Sequence, residues 1–506
     1  MVLPPNQGEN FSRKAKDSYK AAKYENCKKS AQKSKKSSRR TKKSSESRGG
    51  TPLPAPSLPA ELQQVNINAA GIDVGATVHF VCVPEGRDPQ PVRSFGAFTA
   101  DLEAIADWLT QCGVTTVAME ATGVFWIPLF ELLERRGFEV KLVEPSRLKH
   151  VPGRKSDVLD CQWIQQLHTF GLLSASFRPN DQICVLRSYA RQRQTLVCSA
   201  ARCVLHMQKA LTQMNIKLQH VISDITGVTG MAILEAILGG ERDPAKLAAL
   251  RHENCKNDEA TIALALQGNW REDHLFALRQ AVDAYRFFRE KLGEIDERIE
   301  SQLKTFEDKS QGKPLARRSR TRKRGTNEPS FDMRNYLYTM TGVDLTEVDG
   351  LNASTVLTVI SEIGFDMSHW PTEKHFTSWL TLCPGVNKSG GSPRSRSGRT
   401  RPGSNRAAAA LRLAACSLLQ SNCALGAFAR RLRARLGAPK AITATARKLA
   451  ITIYDMLKYG EAYVDRGAEY YEQQYRATMV KNLKRRAKQL GYGLVQLSEQ
   501  QAAHEG

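Results

Sequence analysis

The chain has 506 residues, with 74 Lys and Arg against 51 Asp and Glu, a formal net charge of +23 and a pI near 9.6. Such a balance favours a polyanionic partner. It comes with no run of about 18 apolar residues that could span a membrane and with no apolar core of the secretory-signal type at the N-terminus. Eleven cysteines with no CxxC pair point to free thiols in a reducing compartment, not to a disulfide framework or a zinc site.

The length predicts roughly three domains at about 150 residues each. Residues 1–64 carry 15 Lys and Arg against 5 Asp and Glu, a net of +10, so the remaining +13 belongs to residues 65–506. The low-complexity run KKSAQKSKKSSRRTKKSSES passes into TPLPAPSLPAEL. The segment is too polar to bury a core and is predicted as a disordered basic arm with a Pro-rich linker.

Residues 65–180 read as an α/β domain. Three strands (VNINAAGIDVG, TVHFVCV, VRSFGAF) precede a helix with Thr99 as expected N-cap. The strand VTTVAME, an apolar helix, the strand FEVKLVEP and the helix SDVLDCQWIQQLHTFGLL follow. The order β-β-β-α-β-α-β-α is that of an RNase H-like (RuvC-like) domain. Residues 181–308 repeat apolar residues at three- and four-residue steps in two long stretches, predicting a helical coiled-coil arm suited to dimerisation. Residues 309–332 are a basic linker. Residues 333–465 are predicted mainly α, with a helix-hairpin-helix-like turn at Val348, Asp349, Gly350 and Leu351 before a helix opening near Ser354. Residues 466–506 form a basic C-terminal helix and tail.

Two constellations carry chemistry. Asp73 ends an apolar strand in GIDVG, Glu120 ends another, and Asp157 and Asp160 are three apart and so share a helix face. Carboxylates gathered in one place repel unless cations neutralise them. Two Mg²⁺ ions would do so, and hard cations suit an all-oxygen donor set. The second constellation is the loop between Asn387 and Arg406, with no acidic residue and with Lys388, Arg394, Arg396, Arg399, Arg401 and Arg406. Taken by residue chemistry it is an Arg/Ser segment for nucleic acid. It also holds serines beside glycines, Ser389 foremost and Ser392 second, that are candidates for attack on a phosphate.

GIDVG, AMEATGVFW and KSDVLDCQWIQQL, in this order and spacing, resemble the DEDD transposases of the insertion-sequence-110 group, the bridge-RNA-guided recombinases. The similarity continues through VDGLNASTVLTVISEIG, HFTSWLTLCPGV, Ser389 to Gly391 and GSNRAAAALRLAA, and spans roughly residues 67–460. The resemblance implies that Asp73, Glu120, Asp157 and Asp160 are the acidic, Mg²⁺-binding set and that Ser389 is a covalent nucleophile. It also implies donor and target DNA as substrates and a structured non-coding RNA as guide. A homo-oligomer is expected, a dimer or a tetramer on DNA, in which one subunit's acidic domain works with another's serine domain. A cytoplasmic, nucleoid-associated protein of a bacterial or archaeal cell follows. The chain differs from the family pattern in its basic N-terminal arm, its longer middle region and Arg401-Pro402-Gly403 where Lys-Arg-Gly is usual. Two other readings start from the same residues: a RuvC-like nuclease or junction resolvase using the acids alone, and a non-catalytic nucleic-acid-binding protein.

Overall fold

The structure is a computed structural model that describes residues 63–144, 157–316, 325, 327–387, 396–401, 403, 405–465 and 467–494. The chain divides into two compact units, Met1–Ser176 and Phe177–Gly506.

The first unit is built on strands β1 (Ala69–Val74), β2 (Val78–Cys82), β3 (Val92–Gly96), β4 (Thr116–Glu120) and β5 (Glu139–Val143), in the sheet order β3-β2-β1-β4-β5. The β1–β2 and β2–β3 pairs are antiparallel, and β1–β4 and β4–β5 are parallel. This mixed sheet with its helices fits an RNase H-like domain. Strand alternation divides its faces. Ala70, Ile72 and Val74 of β1 and Val117 and Met119 of β4 enter one apolar cluster with Leu109 of α1 (Thr99–Gln111) and Leu133 of α2 (Trp126–Arg135). Phe98, not Thr99, takes the N-cap position of α1, because the Asp101 carboxylate accepts the Phe98 N–H at 3.0 Å.

The opposite face belongs to α3 (Asp157–Thr169), which lies directly against the backbone of β1. Gly71 makes this possible: a Cβ there would stand 2.2 Å from the Gln165 nitrogen and 2.5 Å from the Cys161 carbonyl oxygen. Gln165 Nε2 donates to the Ala69 carbonyl at 3.3 Å, and Ile164 buries against Ala118 and Val143. Residues 165 and 161 thus face Ala69 and Gly71 in turn, so α3 runs antiparallel to β1 and brings its first turn to the strand's C-terminal end.

The second unit starts from an antiparallel pair, α4 (Asp181–Gln213, 33 residues) and α9 (Glu272–Leu303, 32 residues), each about 50 Å long at 1.5 Å per residue. At one end, Met207 and Leu211 of α4, Met214 at its C-cap, and Leu275, Leu278 and Val282 of α9 close around four short helices, α5 (Leu218–Val221), α6 (Val228–Leu238), α7 (Pro244–Ala248) and α8 (Glu259–Ala265). At the other end, Ile183, Leu186, Ile299 and Leu303 share a core with the C-terminal helices. These are α10 (Met333–Thr341), α11 (Ala353–Ile363), α12 (Glu373–Trp379), α13 (Arg406–Leu418), α14 (Ala424–Leu436), α15 (Ala438–Tyr459) and α16 (Gly467–Gln489), with the strand pair β6 (Pro384–Asn387) and β7 (Arg396–Thr400). The stretches that sequence reading separates as 181–308 and 333–465 therefore belong to one unit, because the arm's base contributes to the same core.

Polar anchors join the arm to that base. Arg191 forks onto both Glu362 carboxylate oxygens at 2.8 Å, and Arg187 donates to the Ser361 and Glu362 carbonyls at 3.1 and 2.8 Å, satisfying the C-terminal end of α11. Further along the pair, Arg193 and Asp296 form a buried ion pair, and Arg193 Nη2 also donates to the Asn327 carbonyl at 2.9 Å.

The Gly71 contact yields a test. Gly71→Val forces backbone apart from backbone and should cost at least about 3 kcal/mol, at the upper end of overpacking penalties. It should appear as a lowered midpoint in calorimetric unfolding. An unchanged midpoint would mean that α3 is not seated on β1.

Candidate active site

Parallel pairing places two of the predicted acids side by side. Ile72 pairs with Met119, so Asp73 of β1 and Glu120 at the end of β4 are neighbours across strands about 4.8 Å apart. Both have the parity of residues on the α3 face, Asp73 with Gly71 and Glu120 with Ala118. The antiparallel course of α3 brings its opening turn, with Asp157 and Asp160, to that same end of the sheet. Asp73, Glu120 and Asp160 are half-buried. Thr122 Oγ1 donates to Glu120 Oε1 at 2.8 Å, holding that carboxylate at the strand end. The Asp157 side chain lies outside the described residues.

The floor of the site is apolar and thiol-lined. Cys161, one residue after Asp160, has its thiol pushed up, first by a hydrogen bond with Cys82, then by burial and by the negative charges of Cys82 and Asp73. It is a neutral wall, and its interaction with Asp73 shows that this carboxylate faces α3. As a donor set the acids are hard oxygens with no imidazole among them, which fits Mg²⁺ better than a soft transition metal. Among the described residues the three carboxylates do not close to within 4.8 Å of one another.

One closed set does occur among the described residues: Asp349, Cys423 and Asp465, with ligand atoms within 4.8 Å. Two of these groups are engaged as caps. Asp465 Oδ1 accepts from the Ala424 and Gly467 N–H groups at 3.2 and 3.1 Å, and Cys423 Sγ accepts from Gly426 at 3.2 Å. They hold the starts of α14 and α16.

The basic loop is bracketed by β6 and β7, which pair antiparallel with Asn387 opposite Arg396. Sequence reading treats 387–406 as one loop and misses this pairing, since PGVN and RSGRT carry little alternation of apolar and polar residues. Ser389, Ser392, Lys388 and Arg394 lie outside the described residues. Arg396 and Arg399 have described backbone in β7, whereas Arg401 and Arg406 are exposed. Arg406 opens α13, where Asn405 Oδ1 caps the helix by accepting from the Ala408 N–H at 3.0 Å. A cation beside a helix N-terminus is a suitable phosphate contact.

Thr381, which sequence reading also passes over, precedes β6 in left-handed backbone at φ 56°. That conformation is strained for a β-branched residue. Its buried Oγ1 has no hydrogen-bond partner among the described residues, and its side chain fills the space beside Gly403, where a Cβ would meet it at 3.0 Å. Thr381 thus ties together the two ends of the basic loop. The predicted turn at Val348–Leu351 is present: Gly350, at φ 86°, sits against Leu418 and the Ala414 carbonyl of α13, and Asn352 caps α11 by accepting from the Thr355 N–H at 2.8 Å.

Comparison with known families now bears on both constellations. Residues 70–216 match the profile of a transposase family, the DEDD transposases of IS110, and residues 344–430 match the Transposase IS116/IS110/IS902 family. The chain belongs to the IS110 family of DEDD transposases. No curated protein matches it. The first match contains the sheet from Ala70 onward, all four acids and α4; the second contains the hairpin turn, the basic loop and the first half of α14. This IS110-family transposase accordingly acts on DNA, and its family typically uses a divalent metal. No helix among its described residues is long and apolar enough to cross a membrane.

The seat of α3 also has a titratable anchor. Thr116 Oγ1 and His168 Nε2 are hydrogen-bonded at 2.9 Å inside the sheet–helix contact. Burial, helped by Lys141 and opposed by Glu139, lowers the His168 pKa to about 4. The folded protein keeps this ring neutral, whereas the unfolded chain takes up the proton below about pH 6.5. The stabilisation is thus complete above pH 6.5 and is lost as pH falls towards 4, a change of roughly 3 kcal/mol. His168→Gln should flatten the fall in unfolding free energy between pH 6.5 and 4. An unchanged pH profile in the variant would show that His168 is not held neutral.

Proposed function

We propose that this transposase is a site-specific DNA recombinase of an insertion sequence that uses two sets of groups, the acids of the first unit and a serine of the second. The observation that supports this most is the meeting of Asp73, Glu120 and the first turn of α3 at one end of one sheet face. Asp73, Glu120, Asp157 and Asp160 would hold the metal. Mg²⁺ when bound, as two ions, supplies charge neutralisation and Lewis-acid polarisation at phosphate oxygens.

The residues of the chain do the rest. The carboxylates would hold the metal that faces a DNA phosphate, and the neutral wall at Cys161 adds no competing ligand charge. Ser389 Oγ attacks the scissile phosphorus: a serine–phosphate bond forms, the bond to the 3′ oxygen breaks, and a 3′ hydroxyl leaves. A 3′ hydroxyl of the exchanged strand then attacks the phosphoserine, restores the phosphodiester and frees the serine. Bond energy is conserved, so no nucleotide triphosphate is needed, consistent with the absence of a GxxxxGK[ST] loop from the sequence. Lys388, Arg394, Arg396, Arg399, Arg401 and Arg406 contact phosphates around this serine. A structured RNA from the element guides strand choice, and a homo-oligomer combines the two sets of groups.

The test is trapping of a covalent protein–DNA adduct on denaturing gels, using the full chain with Mg²⁺, element-end DNA and the flanking non-coding RNA. Ser389→Ala should abolish the adduct, and Asp73→Ala should reduce it by roughly 10³-fold or more, the scale of losing several kcal/mol of charge stabilisation. Cleavage that persists in Ser389→Ala without any adduct would favour a nuclease acting through the acids alone. Undiminished adduct in Asp73→Ala would remove the acidic set from the reaction.

A further inference from the structure

The C-terminal helix α16 lies outside both family-matched segments, and none of its residues is buried. Its first half is nevertheless fixed. Arg431 of α14 stacks on Tyr475, its guanidinium 3.4 Å from the ring centroid, with Tyr471 at 5.4 Å, and Phe428 meets Tyr471 edge-on at 6.1 Å. The register advances in the same sense on both helices, from Phe428 and Tyr471 to Arg431 and Tyr475. The two helices are therefore parallel, with the C-terminal end of α14 beside about residue 480 of α16 and the last two turns of α16 running on beyond it.

Those ends are cationic. Arg433 and Arg435 close α14, and Lys481, Lys484, Arg485 and Lys488 stand at helical spacings of 0, 3, 4 and 7 on one stripe of α16. All six are exposed, and none has an ion-pair partner among the described residues. Nor does the sequence offer one nearby: no Asp or Glu occurs from Ala424 to Tyr454 or from Gln473 to Ser498. The contrast with the arm is direct, since Arg271, Arg286, Lys291 and Lys304 there all pair with acids. Unneutralised cations gathered on a rigid, aromatic-anchored support repel one another, and a polyanion relieves that repulsion.

We propose that the C-terminal end of α14 and the last turns of α16 that run on from it form a sequence-independent phosphate-binding surface for duplex DNA, separate from the basic loop at 388–406. The cation stripe of α16 lies along one strand's phosphates, with Arg433 and Arg435 extending it. The Tyr471–Arg431–Tyr475 stack keeps the helix from rotating away. This surface requires only that the chain act on DNA and does not depend on the metal or serine assignment.

The experiment measures binding of the full chain to a 30-base-pair duplex of arbitrary sequence by fluorescence anisotropy over a salt series. Each phosphate contact contributes about 0.9 to the slope of log K against log salt. Lys484→Ala/Arg485→Ala/Lys488→Ala should therefore reduce the slope by about 2 to 3 and weaken binding at least about tenfold at moderate salt. A matched charge loss on the arm, Arg202→Ala/Lys209→Ala/Lys256→Ala, should change the slope by less than about 1. An unchanged slope in the α16 variant, or an equal loss in both variants, would overturn the proposal. So would a defect confined to binding of phosphatidylserine vesicles, to which the exposed Met479, Val480 and Leu483 would then be the relevant face. Because no cleavage is measured, the outcome stands whether or not Ser389 proves to be the nucleophile.

Discussion

The backbone-to-backbone seat of α3 on β1 is the constraint from which the acidic site follows. A helix normally stands off a sheet by the thickness of two side-chain layers. At Gly71 it is let in until the Cys161 carbonyl and Gln165 nitrogen occupy the volume of a side chain. The close approach moves the first turn of the helix to the ends of two parallel strands, where Asp73 and Glu120 already stand abreast. Gln165 on Ala69 and His168 on Thr116 lock the helix along its length, so position and direction are both determined. The acids need not attract one another, and at close range they would not. They are brought together by apolar and backbone contacts made elsewhere in the unit.

The second unit handles charge in the opposite way. Where cations are structural they are paired: Arg187 and Arg191 with the end of α11, Arg193 with Asp296, Arg334 with Asp344. All but the last join segments more than a hundred residues apart. Exposed cations also gather in stretches that carry no carboxylate, at Arg401 and Arg406 and towards the ends of α14 and α16. Local absence of carboxylates is as informative there as the presence of arginine.

Much of the first unit was legible in the sequence because its strands are short apolar runs broken by clear turns, and because strand order follows from element order under the usual connection rules. The positions of Asp73 and Glu120 at strand ends could be read the same way. The seat of α3 could not, since a glycine inside a strand reads only as a weak point until the helix above it is seen. The unity of the second unit was hidden for a related reason. Ile183, Leu186, Ile299 and Leu303 look like ordinary arm positions, and nothing local marks them as part of a core that forms with residues more than a hundred positions away. Thr381 was missed because its backbone strain has no signature in residue type, threonine being among the residues least expected in left-handed backbone.

The antiparallel arm has a consequence for how such a chain can change. Its two helices are 33 and 32 residues long, and each is anchored at both ends, by a knob of short helices at one and by the shared core at the other. Arg193 meets Asp296 only while the helices keep a common register. A turn inserted into α4 alone would slide every facing pair by about 5.4 Å and pull the knob or the base apart. Length can therefore change only by matched insertions some eighty to a hundred residues apart, which makes the reach of the arm one of the slowest features of this chain to evolve.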